Sequence, residues 1–274
     1  MNEKLAGNLN VNRIRAILKL IAFLIGTIGL VIVHTIWYIF TRRLDVTMLF
    51  HKWCSFVFNI KINHIGENAH KKNQPVIYLC NHISYLDIIV LGSFIDGCFV
   101  AKSEVASWPG FGFLAKLQKT IFIVRQKSAL MQSRQSIATA MAKDHDIILF
   151  PEGTSTDGWD VMQFKAGLLG IFFPDEKGTG GDFDVIDNAL VQPVAIKHVK
   201  IDGERVTKDD KSKRDLYAWY GNMELAPHLW DFAHIKSCEV EVHMLPPLSI
   251  KDFVSRYDIA NAAQERVAKV VKEA

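Results

Sequence analysis

Cysteine is scarce and unpatterned in this chain of 274 residues. Cys54, Cys80, Cys98 and Cys238 are scattered, with no C-x-x-C pair and no zinc spacing. That excludes a dithiol motif and a zinc knuckle. Cys80 and Cys98 sit in apolar runs, where buried reduced thiols are common, so no disulfide is expected and the main domain belongs in a reducing compartment. An excess of one charge is lacking too. The 32 basic and 29 acidic residues leave +3, too little to suggest a nucleic-acid binder and enough for weak attraction to an anionic membrane surface. No G-x-S-x-G elbow occurs, so nothing marks a serine nucleophile of the hydrolase type. There are no internal repeats.

Long apolar runs are what the chain does have. From Leu20 to Phe40 it reads LIAFLIGTIGLVIVHTIWYIF, without a charge. A helix of that length reaches ~31 Å, about one bilayer core. Arg13, Arg15 and Lys19 precede it, Arg42 and Arg43 follow it, and Trp37 and Tyr38 fall where an interfacial aromatic belt lies. Basic residues on both sides leave its orientation open. The run is long for a signal peptide and no small-residue cleavage site follows it before Arg42, so a retained membrane helix is expected. The next segment, 46-VTMLFHKWCSFVFNI-60, repeats polar residues every four positions, at Thr47, His51, Ser55 and Asn59. As a helix it has one narrow polar stripe on an otherwise apolar surface, and it is too short to cross a bilayer. It lies in the membrane interface, packs back on the first helix, or is buried in the soluble core. Residues 1–62 are read as an N-terminal membrane anchor, a hydrophobic helix plus an amphipathic one, and 63–274 as the main domain.

Past residue 66 the pattern changes. GENAHKKNQP is a polar connector, and strands and helices then alternate. Strands are predicted at 76–80, 97–101, 120–124, 146–150, 190–199 and 238–245, and helices near 84–95, 110–118, 128–143 and 163–173. The expected fold is α/β, a mixed, largely parallel sheet flanked by helices and preceded by the N-terminal membrane-associated helical segment. In such sheets ligands gather at the carboxyl ends of the strands. Asn81-His82, Arg125 and 151-PEGTST-156 all fall at predicted strand ends. Residues 200–215 mix both signs of charge and read as a solvated loop. The tail 258–274 reads as a docking helix with Asp258 as its N-cap and Ile259, Ala262, Ala263, Val267, Val270 and Val271 on one face.

The stretch 78-YLCNHISYLDIIVLGS-93 places a histidine and an aspartate at the seam between a strand and a helix. About one His-x4-acid pair is expected by chance in a chain of this composition, and there are two, His82/Asp87 and His234/Glu239. Residues five apart on a helix point ~140° from each other, so His82 and Asp87 meet only if His82 lies in the turn and Asp87 in the first helical turn. A second reading is concrete as well. Ser84-Tyr85-Leu86-Asp87 matches a capping box, in which Asp87 closes the start of the helix. The PEGT stretch alone also reads as a surface turn.

The blocks NHISYLD, KSEVASWPGFGFLAKLQKTIFIVR, FPEGTS and VQPVAI, in that order over residues 81–196, resemble the four blocks of the glycerolipid acyltransferases. The likeness is strongest to the bacterial type of 1-acylglycerol-3-phosphate acyltransferase. The resemblance implies transfer of an acyl group from a thioester, on acyl carrier protein or coenzyme A, to the free sn-2 hydroxyl of lysophosphatidic acid, giving phosphatidic acid. It implies no cofactor beyond that co-substrate and no metal, because a thioester is already activated. It puts the protein at a bilayer, the bacterial inner membrane, with the catalytic domain on the cytoplasmic face. It carries the general-base role to His82 and the orienting role to Asp87, the arrangement in which a histidine of ordinary pKa takes the proton of the attacking hydroxyl. It places Glu152, Gly153 and Thr154 against the glycerol end of the acceptor, Arg125 on its phosphate, and Lys102, with Lys165 a weaker candidate, as helpers. Two departures stand out. Ser155 occupies a position where the family often has arginine, and Lys119 and Val124 replace a common glycine and aspartate of the second block. The rivals are an acyltransferase for another lyso-lipid such as lyso-ornithine lipid, a thioester hydrolase, and a catalytically silent lipid-binding protein.

Overall fold

The computed structural model describes residues 2–41, 46–72, 74–124, 126, 129–173 and 188–273. Its centre is a sheet in the order β1-β8-β6-β2-β5-β3-β4. The strands are β1 (Ile60–Ile65), β2 (Val76–Cys80), β3 (Gly97–Lys102), β4 (Ile121–Ile123), β5 (Asp146–Leu149), β6 (Leu190–Ile201) and β8 (Cys238–Met244). The run β6-β2-β5-β3-β4 is parallel, β8 is antiparallel to β6, and β1 is parallel to β8. Two short strands, β7 (Glu204–Arg205) and β9 (Leu248–Ser249), add antiparallel pairs to β6. The sheet is thus mixed and mostly parallel, as the sequence predicts.

Both faces are covered, which is why β2 and β5 are buried at every position and read as unbroken apolar runs. On one face Tyr78, Cys80, Ile148, Val194, Ile196 and Val240 pack under α3 (Leu86–Gly92), α2 (Thr47–Phe58) and α7 (Leu225–His234). On the other, Ile77, Leu79, Ile147, Val191 and Ala195 pack under α5 (Leu130–Met141) and α8 (Arg256–Lys272). A short helix, α4 (Phe111–Leu117), follows β3, and α6 (Lys211–Arg214) follows β7.

The N-terminal helix α1 (Asn2–Thr41) contains a stretch, Asn12–Phe40, long and apolar enough to cross a membrane. Its first half is fastened to the domain. Ala16 is buried, Lys19 Nζ donates to the carbonyls of Phe58 and Ile235, and Arg15 donates to that of His234. The helix α2 packs on α1 and α3, with His51, Cys54 and Phe58 buried and Leu49 and Phe56 exposed. Its polar stripe therefore turns inward at His51. Asn59 ends α2 in the left-handed region, φ 53°, and β1 begins at the next residue, running across position 62 into the sheet.

Several details differ from the sequence reading. Strands β1, β7 and β9 and the helix α7 are additional. Residues 200–215 are not all loop, because β7 and α6 lie within them and Asp210 caps α6. The helix predicted over 163–173 is only a short 3-10 turn, Leu168–Ile171. Gly170 there packs so closely on the Arg134 guanidinium that a Cβ would lie 2.0 Å from its nitrogen, and Arg134 Nε donates to the Gly167 carbonyl. The N-cap of α8 is Ser255, not Asp258. The Ser255 hydroxyl accepts from the Asp258 amide, and Asp258 belongs to the first turn.

Candidate active site

The adjacent parallel strands β2 and β5 end on the same edge, and each hands the chain to a loop that carries one of the quoted blocks. Asn81 follows β2 directly. Its side chain exchanges two hydrogen bonds with the Ile196 backbone of β6, at 3.0 and 2.7 Å, and so fixes the exit of the chain from the sheet. His82 comes next. Its Nδ1 lies 2.8 Å from Asp87 Oδ2. The same oxygen accepts from the amides of Ile83 and Ser84, at 2.7 and 2.9 Å. The capping and dyad readings of Asp87 are therefore not alternatives, because one carboxylate oxygen does both.

Asp87 is wholly buried. Burial pushes its carboxyl up, but the neighbouring imidazoles of His198 and His82 outweigh this and hold it at about 2. It is ionised throughout the neutral range. His82 keeps 19% of its side chain exposed and stacks on Phe150, the residue that follows β5, at 4.2 Å and 20°. With Nδ1 engaged by the carboxylate, Nε2 is the nitrogen left with a basic lone pair.

The loop after β5 grips the histidine backbone. Glu152 Oε1 accepts from the His82 amide at 2.7 Å, and its other oxygen accepts from the Met162 amide at 2.8 Å. The Thr156 amide donates to the His82 carbonyl at 2.8 Å. Glu152 is wholly buried, and burial pushes its carboxyl up to about 7. The expected carboxylate reaching for a substrate hydroxyl is thus not what the geometry provides. Both oxygens are occupied by backbone amides, and Glu152 is a clamp. Lys165 Nζ donates to the Glu152 carbonyl at 2.9 Å, holding the same loop. Gly153 sits at φ +71°, a turn conformation that disfavours a side chain, and Thr154 beyond it is exposed. Lys102 ends β3 on the same edge of the sheet and is exposed. Arg125 lies outside the described residues.

Ser155 is half-buried and engaged with the backbone. Its hydroxyl donates to the Trp219 carbonyl, and the Trp219 amide donates to the carbonyl of Ile83. Residues 217–219 thus lie against the His82–Asp87 turn, and Trp219 meets Tyr85 and Trp108 edge-on.

The arrangement is a His–Asp pair held at the carboxyl edge of an α/β sheet, and the relatives of the chain give its class. A sequence profile of the Acyltransferase family matches residues 61–197, and the chain belongs to that family. It is an acyltransferase of lipid metabolism, with a lysolipid acceptor and an acyl donor. It is 31% identical over 226 residues to the lyso-ornithine lipid O-acyltransferase of Brucella abortus, covering 82% of this chain and 81% of that one. It is 34% identical over 217 residues to the enzyme of the same name from Rhodobacter capsulatus, covering 77% and 72%. It is 23% identical over 210 residues to the 1-acyl-sn-glycerol-3-phosphate acyltransferase of Neisseria gonorrhoeae, covering 76% and 74%. The fold is that of the 1-acyl-sn-glycerophosphate (LPA) acyltransferase PlsC from Thermotoga maritima, with a TM-score of 0.65, 20% identity, and coverage of 96% of this chain and 97% of that one.

Sequence reasoning passed over His198. It lies near the end of β6 with its side chain fully buried, 3.8 Å from Asp87. The signal was a histidine in 190-LVQPVAIKHV-199, at a position whose strand parity, shared with Val194 and Ile196, points into the core.

Proposed function

We propose that this protein transfers an acyl group from a thioester donor to the free hydroxyl of a lyso-lipid, with His82 as general base and Asp87 as its orienting carboxylate. The observation that carries the reading is the 2.8 Å contact between His82 Nδ1 and an Asp87 oxygen that two backbone amides also hold. Asp87 fixes the tautomer with the proton on Nδ1, so Nε2 takes the hydroxyl proton as the oxygen attacks the thioester carbonyl. The new ester bond forms as the carbon–sulfur bond breaks, and the thiolate leaves on coenzyme A or acyl carrier protein, recovering the proton from the imidazolium. No covalent enzyme intermediate is needed, because the thioester is already activated.

Lyso-ornithine lipid is the first acceptor to test, ahead of lysophosphatidic acid. Two observations favour it. Relatives that are 31% and 34% identical over 226 and 217 residues carry that name, while relatives named for acylglycerol phosphate are 23% identical over 210 residues or 34% identical over only 109. Ser155, where the family often has a cation suited to phosphate, gives its hydroxyl to a backbone carbonyl. Lys102 and Thr154 are proposed to line the acceptor path at the carboxyl edge of the sheet, and Arg125 to bind the acceptor's headgroup. The exposed faces of α1 and α2, with Ile25, Ile32, Ile39, Phe40 and Phe56 outward, are proposed to seat the site at a bilayer, the inner membrane of a bacterium, with the domain on the cytoplasmic face. Acyl transfer by the purified protein to each acceptor in turn tests the order. A preference for lysophosphatidic acid would keep the mechanism and move the pathway.

A further inference from the structure

Asp87 has two carboxylate oxygens, and the dyad uses one. The other, Oδ1, is buried and makes no hydrogen bond among the described residues. Facing it at 3.8 Å is Nε2 of His198, also buried and also without a hydrogen bond among them. The register of β6 against β8 shifts between His198 and Lys200, an irregularity of the kind that re-aims side chains. The ring is held flat against Tyr217, with centroids 4.3 Å apart and planes at 11°, and its Nδ1 lies 3.2 Å from Cys238 Sγ.

The neighbours decide where the proton sits on this ring. A nitrogen facing a carboxylate is favourable only as a donor, so Nε2 carries hydrogen. Nδ1 then needs a donor, and the Cys238 thiol supplies one, because burial pushes its pKa far up and keeps it S–H. The polar groups form one line. Cys238 S–H points to His198 Nδ1, His198 Nε2–H points to Asp87 Oδ1, and His82 Nδ1–H points to Asp87 Oδ2, which leaves His82 Nε2 as the base. Such contacts are often long in an unliganded site and tighten with substrate.

We infer that His198 is a positioning residue for the dyad, a second imidazole that aims Nε2–H at Asp87 Oδ1 and holds that carboxylate in place. The inference rests on the general-base reading of His82. The titratable groups around the pair are His82, Cys80 on β2, Glu152 after β5, Cys238 on β8 and Tyr217 ahead of α7. All but His82 are buried. Without the His198 donor, Asp87 is the more basic carboxylate, and the pH dependence of the reaction should report it.

The test compares His198→Met with His198→Gln in the full-length protein. The two side chains are alike in length, and only glutamine has an N–H to offer. The methionine variant should lose about 10- to 100-fold in kcat, the size of effect that hydrogen-bond partners one step removed have in other sites, with KM for both substrates within about two-fold. The acid limb of its kcat/KM profile should move up by about one pH unit. The glutamine variant should stay within about three-fold of wild type in kcat with its acid limb unmoved. Wild-type kcat and acid limb in a folded methionine variant would overturn the inference, as would equal impairment of the two. Should the methionine variant not fold, the glutamine variant decides, since a shifted limb or a ten-fold lower kcat in it would equally overturn the inference. His82→Ala is the control that separates the two claims. Full activity there overturns the general-base reading, while an inactive His82→Ala beside an unaltered His198→Met overturns only the role of His198.

Discussion

Glu152 and His82 are joined through the backbone. The glutamate accepts the His82 amide at 2.7 Å, while the Thr156 amide donates to the His82 carbonyl at 2.8 Å. A histidine in a loop is thereby gripped on both sides by the loop that leaves the neighbouring strand. The second Glu152 oxygen, on the Met162 amide, closes that loop on itself. The clamp depends on β2 and β5 being adjacent and parallel, which is where fold becomes site.

The clamp has a pH signature. Burial holds Glu152 at about 7, so the folded chain binds this proton at higher pH than the unfolded chain, where a glutamate titrates near 4.5. Its contribution to stability therefore falls as pH rises from about 4.5 to about 7. Glutamine cannot titrate. The melting temperature of the wild type should gain on that of Glu152→Gln as pH is lowered from about 8 to about 5, and activity should move the other way, because protonation takes the acceptor from one amide. A difference constant across that range would contradict the assignment.

Asp87→Asn should fold and fail. Its carbonyl oxygen can take the place of Oδ2, but the charge that stabilises the imidazolium is gone and the amide nitrogen must face His198 Nε2. A loss in kcat of about a hundred- to ten-thousand-fold is expected, the scale seen when a triad acid is neutralised. Circular dichroism and a melting curve check the fold. Activity within ten-fold of wild type would leave Asp87 as a helix cap.

Gly153→Ala should destabilise the protein by roughly 1–2 kcal/mol, because φ +71° brings a Cβ against the neighbouring carbonyl. Asparagine tolerates that region better, so Gly153→Asn should melt between alanine and wild type. Thermal denaturation of the three proteins decides it, and an alanine variant as stable as wild type would contradict the strain argument.

Phe56 is 77% exposed on α2, beside Leu49 at 54%. Neither stabilises the fold by burial, so Phe56→Asp should leave the melting temperature nearly unchanged and weaken sedimentation with lipid vesicles. Unaltered vesicle binding would place the membrane contact elsewhere, on α1 alone.

The fold class was readable because β2 and β5 are buried on both faces and so leave unbroken apolar signatures. The edge strand β1 left none. Only Ile60 of IKINHI is buried, and the strand follows an apolar helix with only Asn59 between them. The 163–173 stretch looked helical by composition, while the packing of Gly170 on Arg134 is a contact no local pattern reveals. At the site, the His82–Asp87 contact is local, five positions apart at a strand–helix seam, but that spacing also arises by chance, and it was the resemblance of the surrounding blocks that singled the pair out. Glu152 was singled out for a different task, since its partners are backbone amides that sequence does not display. His198 escaped because it meets Asp87 only once β6 and the turn before α3 are brought together.

The central claim is that His82 takes the proton of a lyso-lipid hydroxyl. The most direct test offers lyso-ornithine lipid and lysophosphatidic acid, each with an acyl-thioester donor, to the detergent-held full-length protein and to His82→Ala, and measures the ester product. The account predicts product from the wild type, more of it with lyso-ornithine lipid, and a loss of about a thousand-fold or more in the variant. Undiminished transfer by His82→Ala would contradict it.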